Sequence, residues 1–339
     1  MKNILLKILF LGIVACGIVA FTTTLFTPIY LNIPKNWPKP SYDFSKNPLT
    51  EEKFQLGCKL FYDPILSKDN TISCASCHLQ QTAFAHVDHQ LSHGIDGKIG
   101  VRNSLSLQNL AWSKDFMWDG GVNHLDMQPL APITSETEMN ETLQNVVGKL
   151  QKNEKYQKMF QKAFGTTKIT GQQTLKALSQ FVLSLTSANS KYDKIAKNEE
   201  VFTIMEQKGY DLFKQNCASC HQEPLFTSDK FENNGLAIDA TLNDYGRMKI
   251  TQNPQDSLKF KVPTLRNIQY TFPYMHDGRF GTLSEVLKHY NSLNSNTISK
   301  KLSKPMHLSD NNKTEIIAFL KTLSDTEFLF NPRYSYPKE

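Results

Sequence analysis

Cys74-Ala75-Ser76-Cys77-His78 recurs, residue for residue, as Cys217-Ala218-Ser219-Cys220-His221. The spacing decides the chemistry. Two thiols three positions apart on one helical turn can each add to a porphyrin vinyl group, and the next residue brings an imidazole under the iron. Two such devices read as two covalently bound haem c groups. A zinc ribbon also uses two Cys-x-x-Cys pairs, but it separates them by roughly 15–20 residues and needs no histidine after each. Here most of a domain lies between the pairs. A dithiol redox motif accounts for one copy, not for two that both end in His.

The chain has 339 residues and six cysteines, which is room for two domains with one haem each. Four cysteines belong to the motifs, Cys16 falls in the leader, and Cys58 reads as a small core residue. Residues 1–31 carry Lys2 and Lys7 ahead of an apolar run from Ile8 to Leu31. That is an export signal peptide, or an N-terminal membrane anchor, since about 20 apolar residues span a bilayer. Ile13-Val14-Ala15-Cys16 also has the form of a lipoprotein box, although the residues after Cys16 stay apolar. A periplasmic protein follows, with attachment to the inner membrane as one outcome of the leader. Residues 32–48, with prolines at 34, 38, 40 and 48, read as a tether. The formal charge of +6 is dispersed. Lys149, Lys152, Lys155, Lys158 and Lys162 recur opposite Tyr156, Phe160 and Phe164, which marks a solvated helix face and no nucleic-acid partner.

The organisation is mainly α. Thr50-Glu51-Glu52 opens a helix over 50–62 with Phe54, Leu56, Leu60 and Phe61 on its core side. Similar periodicity covers 141–150, 153–164, 172–187, 203–215, 282–291 and 311–323, and no strand run of useful length appears. Two cytochrome c-like domains follow, 49–190 and 200–330, divided at the polar run Ser187 to Glu200. Each holds a long loop, 79–135 and 222–281, of a length that is usually functional. A haem orders such loops by supplying the core they lack.

The order of motifs resembles the bacterial di-haem cytochrome c peroxidase and MauG family. It runs from the first Cys-x-x-Cys-His through Ser92-His93-Gly94, Arg102-Asn103-Ser104, Phe116-Met117-Trp118-Asp119-Gly120 and Glu138-Met139. It continues through the second Cys-x-x-Cys-His, Val262-Pro263-Thr264-Leu265-Arg266-Asn267 and Pro273-Tyr274-Met275-His276-Asp277-Gly278. The resemblance implies that the N-terminal haem is peroxidatic and the C-terminal haem transfers electrons. Glu138 matches the distal glutamate, Gln128 its hydrogen-bonding neighbour and Pro132 a proline beside the open iron face. Splitting a peroxide needs a group that takes a proton from one oxygen and returns it to the other, which is the work of such a carboxylate. His93 matches a histidine that caps the N-terminal iron at rest, in a loop whose glycines ease movement. Trp118 matches an indole between the haems. Asn103, Thr271 and Pro273 match an inter-domain calcium site, where an amide oxygen and carbonyls suit a hard cation.

The best-known peroxidases place a methionine where this chain has Tyr290, as sixth ligand of the C-terminal haem. Leu283, Val286, Leu287 and Tyr290 share the buried face of their helix, with His289 turned aside. MauG resembles this arrangement, with tyrosine as ligand; Met275 and Met306 are the alternatives. An anionic oxygen stabilises higher oxidation states and lowers the potential, whereas a thioether favours ferrous iron. Three activities compete on this reading. The first is a peroxidase reducing hydrogen peroxide to water with electrons from a small cytochrome c or cupredoxin. The second is a MauG-like enzyme using peroxide to oxidise a protein substrate, and the third is a non-catalytic electron carrier. The carrier needs no acid–base group, so Glu138 and Gln128 argue against it.

Overall fold

Gly-x-x-Leu-Phe occurs twice ahead of the haem motifs, as Gly57 to Phe61 in the helix Glu51–Tyr62 and as Gly209 to Phe213 in the helix Ile204–Asn216. The computed structural model, which describes residues 26–293 and 306–337, shows what the glycine does. A methyl on Gly57 would come within 2.0 Å of the Ala177 carbonyl oxygen, and one on Gly209 within 1.9 Å of that of Glu315. Backbone therefore touches backbone where these helices cross Gly171–Ser184 and Asp310–Lys321. The two crossings anchor two apolar cores, one around Phe54, Phe61, Phe84 and Phe181, the other around Phe213, Phe226, Ile316 and Phe319.

The helices Leu143–Gln151, Glu154–Phe164, Leu283–Ser292 and the four above lie within three residues of the periodic stretches. Side-chain caps set several starts: Thr50, Thr142, Asn153 and Thr282 each accept a first-turn backbone N–H. The strand content among the described residues is slight, a two-residue antiparallel pair of Phe231–Glu232 with Phe260–Lys261. No helix among them is long and apolar enough to cross a membrane. Residues 1–25, where most of the expected leader or anchor falls, lie outside the described residues.

Three segments depart from the expected division. The stretch 32–48 is not a free tether: Trp37 is buried edge-on against Trp112 at 4.9 Å, and Ser41 and Tyr42 donate backbone N–H to the Ala111 carbonyl. Its prolines stiffen a strap packed on the first core. The polar run 187–200 is likewise built in, with Ser190 capping the short helix Lys191–Ala196. Asp193 on that helix forms a bidentate pair, both contacts 2.8 Å, with the fully buried Arg266. The end of the chain then returns to the first domain, since Phe328 and Leu329 sit in the first core and the Tyr62 hydroxyl donates to the Tyr334 carbonyl.

The guanidinium of Arg266 also lies 4.6 Å over the Trp37 ring, so one buried cation ties strap, linker and second domain together. Asp193→Ala would leave that cation unpaired, which typically costs about 3–5 kcal/mol; denaturant unfolding of the haem-loaded protein measures it. Arg266 holds the Asp193 carboxyl below its ordinary 3.8, against the burial that pushes it up. The pair's contribution is thus complete above about pH 4 and lost as pH falls through the depressed value.

Candidate active site

Both haem-motif histidines are prepared as neutral ligands. His78 Nδ1 is 2.7 Å from the Phe84 carbonyl, and His221 Nδ1 is 3.2 Å from the carbonyls of both Phe226 and Pro263. A carbonyl only accepts, so Nδ1 carries the proton and Nε2 keeps the lone pair for iron. Burial holds each imidazole down at about 4, with the carbonyl bonds opposing it. Phe84 and Phe226 present those carbonyls from the same left-handed conformation, φ 58° and 53°. The halves repeat further: Asn109 and Asn267, Met117 and Met275, and Gly120 and Gly278 are all left-handed at matching places.

One cavity of about 830 Å³ has Cys77 and His78 of the first motif and Cys217, Cys220 and His221 of the second in its wall. That is at the upper end of the roughly 300–1,000 Å³ usual for ligand sites. Burial raises the Cys74 and Cys217 thiols to about 12 and Cys77 to about 11. Among the described residues, His276 Nδ1 and Ser228 Oγ, both on wall residues, are buried without a partner. Orphaned polar atoms beside paired thiols and free imidazole Nε2 atoms fit a haem, whose carboxylates satisfy such groups.

Glu138, Gln128 and Pro132 are together in this wall. Burial raises the Glu138 carboxyl above its ordinary 4.5, and its charge acts on the Cys74 and Cys77 thiols, so it faces the first motif. Gln128 Nε2 lies 3.7 Å from Met117 Sδ. Tyr290 stands to the second motif as Glu138 does to the first: it lines the cavity, burial raises its phenol, and the Cys217 and Cys220 thiols add to that rise. Met275 and Met306 line the cavity too, but Asn234 Nδ2 already donates to Met275 Sδ at 3.3 Å.

Trp118 is buried, its indole N–H donating to the Asn103 carbonyl at 2.8 Å, and Asn103 in turn donates its backbone N–H to His276. The Trp118 and His276 rings meet edge-on at 6.5 Å. Thr271 and Pro273 share the same wall as Asn103. His93 does not: its ring is outside the wall and stacks on His89 at 4.3 Å and 8°, while its carbonyl accepts from Cys77 Sγ at 3.5 Å. It is the backbone carbonyl of His93, not its ring, that meets the first motif.

Sequence reading quoted His276 in its motif without giving it a role; it stacks on Phe260 at 3.7 Å. The signal was present: Phe116-Met117-Trp118-Asp119-Gly120 and Tyr274-Met275-His276-Asp277-Gly278 are one turn used twice, with His276 in the slot of Trp118.

Residues 51–201 match the model of the di-haem cytochrome c peroxidase family and residues 206–324 that of cytochrome c. The chain is 35% identical over 303 residues to the methylamine utilization protein MauG of Methylorubrum extorquens, covering 86% of this chain and 82% of that protein. It is 31% identical over 282 residues to the cytochrome c551 peroxidase of Nitrosomonas europaea, covering 82% and 81%. A crystal structure of a MauG-like protein associated with microbial copper homeostasis superposes with a TM-score of 0.84 at 32% identity, over 91% of this chain and 99% of that one. The chain belongs to the di-haem cytochrome c peroxidase and MauG family. It is accordingly a mainly α oxidoreductase of the di-haem peroxidase kind, with two covalently bound haem c groups.

Proposed function

We propose that the enzyme reduces hydrogen peroxide to water in the N-terminal domain, with electrons that a small redox protein, a cytochrome c or a cupredoxin, delivers through the C-terminal domain. The observation carrying this is Glu138, a carboxylate with a raised pKa facing the first haem motif beside Gln128 and Pro132. The haems supply the redox chemistry, electron relay and peroxide reduction. His78 and His221 offer Nε2 to them. Glu138 takes the proton from one peroxide oxygen and returns it to the departing one. Gln128 hydrogen-bonds the peroxide, and Pro132 keeps its side of the pocket apolar. Trp118, a buried ring in a wall shared by both motifs, relays electrons between the domains. Steady-state assays with reduced cytochrome c test this: two donor molecules oxidised per peroxide consumed is expected, and peroxide loss without donor oxidation overturns it.

Tyr290 favours a second reading, in which peroxide drives a MauG-like oxidation of a protein substrate. An oxygen ligand on the second iron would hinder ordinary electron input and favour storing oxidising equivalents. The leader supports export to the periplasm for either reading.

We further infer a calcium ion held by Asn103, Thr271 and Pro273. Asn103 Nδ2 donates to the Gln90 carbonyl at 3.0 Å, which leaves Oδ1 as the end that binds a cation. Chelation is expected to reduce turnover and added calcium to restore it, whereas magnesium is not; activity insensitive to chelator overturns the site.

A further inference from the structure

We propose that Gly94 is a positioning residue for Glu138, and that the loop 92–100 serves as a brace under the peroxide pocket. The inference rests on the acid–base role given to Glu138 above. Glu138 is held by little on its own segment, where its backbone N–H bonds to the Ser135 carbonyl at 3.1 Å. Its other support comes from the loop: Ile95 donates its backbone N–H to the Glu138 carbonyl at 2.9 Å. Beside that bond, Gly94 lies against the same peptide so closely that an added methyl would come within 2.2 Å of the Thr137 carbonyl oxygen. The same methyl would be 2.5 Å from both the Cα and the carbonyl oxygen of Glu138.

The backbone of Gly94 is extended, φ −114°, which any residue adopts. The absence of a side chain therefore answers to the contact, not to the turn. Backbone cannot swing aside as a flexible side chain does, so a methyl there has to displace the Glu138 peptide or the loop. One more bond fixes the loop itself: Gly94 donates its N–H to the Lys98 carbonyl at 2.8 Å. The brace thus runs from the loop through Gly94 and Ile95 to the peptide of the carboxylate that serves the first haem. Moving the loop moves the proton shuttle.

The test is a double-mutant cycle on the haem-loaded enzyme. Gly94→Ala is expected to lower kcat about 10²-fold, the scale set by a misplacement of about 1 Å, with KM for the electron donor and both haem potentials unchanged. Gly100→Ala is the control, since it adds the same methyl to the same loop, where the nearest atom, the Ser92 carbonyl oxygen, lies at an ordinary 3.4 Å; it retains turnover. Glu138→Gln combined with Gly94→Ala should be no slower than Glu138→Gln alone, because a misplaced group that is already disabled loses nothing more. Additive losses, or a fully active Gly94→Ala enzyme, overturn the brace. If Glu138→Gln itself keeps full turnover, the proton-transfer reading falls instead, so the two failures are distinguishable.

Discussion

Replacing Glu138 by Gln is expected to leave both haems attached while cutting peroxide turnover by about 10²- to 10⁴-fold, the usual worth of a positioned general acid–base group. Glutamine keeps the volume and a hydrogen-bonding end, so the pocket keeps its shape. What it loses is the capacity to take a proton and give it back. Burial raises the Glu138 carboxyl above 4.5, and the working form at the start of the cycle is the carboxylate. Activity should therefore rise with pH through that elevated value, and the acid limb should lie above the position an exposed glutamate would give. The limb disappears in the glutamine variant. Rapid mixing with peroxide across pH 4–8, with haem content measured alongside, checks both halves; an unchanged rate would move the shuttle to another residue.

The helices and the two haem attachments were legible because they obey short-range rules. A 3.6-residue apolar period marks the elements, and the Cys-x-x-Cys-His spacing is dictated by the porphyrin it must meet. The grouping of Glu138, Gln128, Pro132 and Trp118 was implied by the family resemblance that the motif order carries. The remainder was hidden for physical reasons. Arg266 pairs with Asp193 across more than seventy positions, and Phe328 and Leu329, with Tyr334 packed beside them, enter a core whose other buried members lie between Trp37 and Leu185. No local pattern announces such contacts. The haem-bearing loops turn through left-handed Phe84, Met117, Phe226 and Met275, residues that propensity places elsewhere; Phe84 and Phe226 turn their carbonyls to the motif histidines while their rings stay in the two cores, and Met117 and Met275 line the cavity. The prolines of 32–48 read as a tether, but whether such a stretch packs or hangs free depends on Trp37 finding Trp112, which only the fold reveals.

Tyr290→Met is expected to raise the potential of the C-terminal haem and to speed turnover with reduced cytochrome c. Tyr290 faces Cys217 and Cys220 from the cavity wall, on the helix Leu283–Ser292, and its phenol is raised by burial. A buried phenol is reluctant to ionise in the absence of a cation, because the bare phenolate has lost its water. A ferric iron in that pocket would reverse the balance, supplying the positive charge that burial denies. The resulting oxygen ligation would stabilise the oxidised metal and make electron entry from a donor unfavourable, whereas methionine would do the opposite. The same substitution should shorten the life of any doubly oxidised state reached with peroxide, and with it any oxidation of a protein partner. Redox titration and stopped-flow spectra therefore separate the readings. A higher potential with faster donor-fed turnover assigns the tyrosine as ligand and ties the MauG-like capacity to one side chain. An unchanged potential makes Tyr290 a packing residue. In that case Met306, which also lines the cavity, becomes the ligand to test, and the enzyme returns to the donor-fed peroxidases.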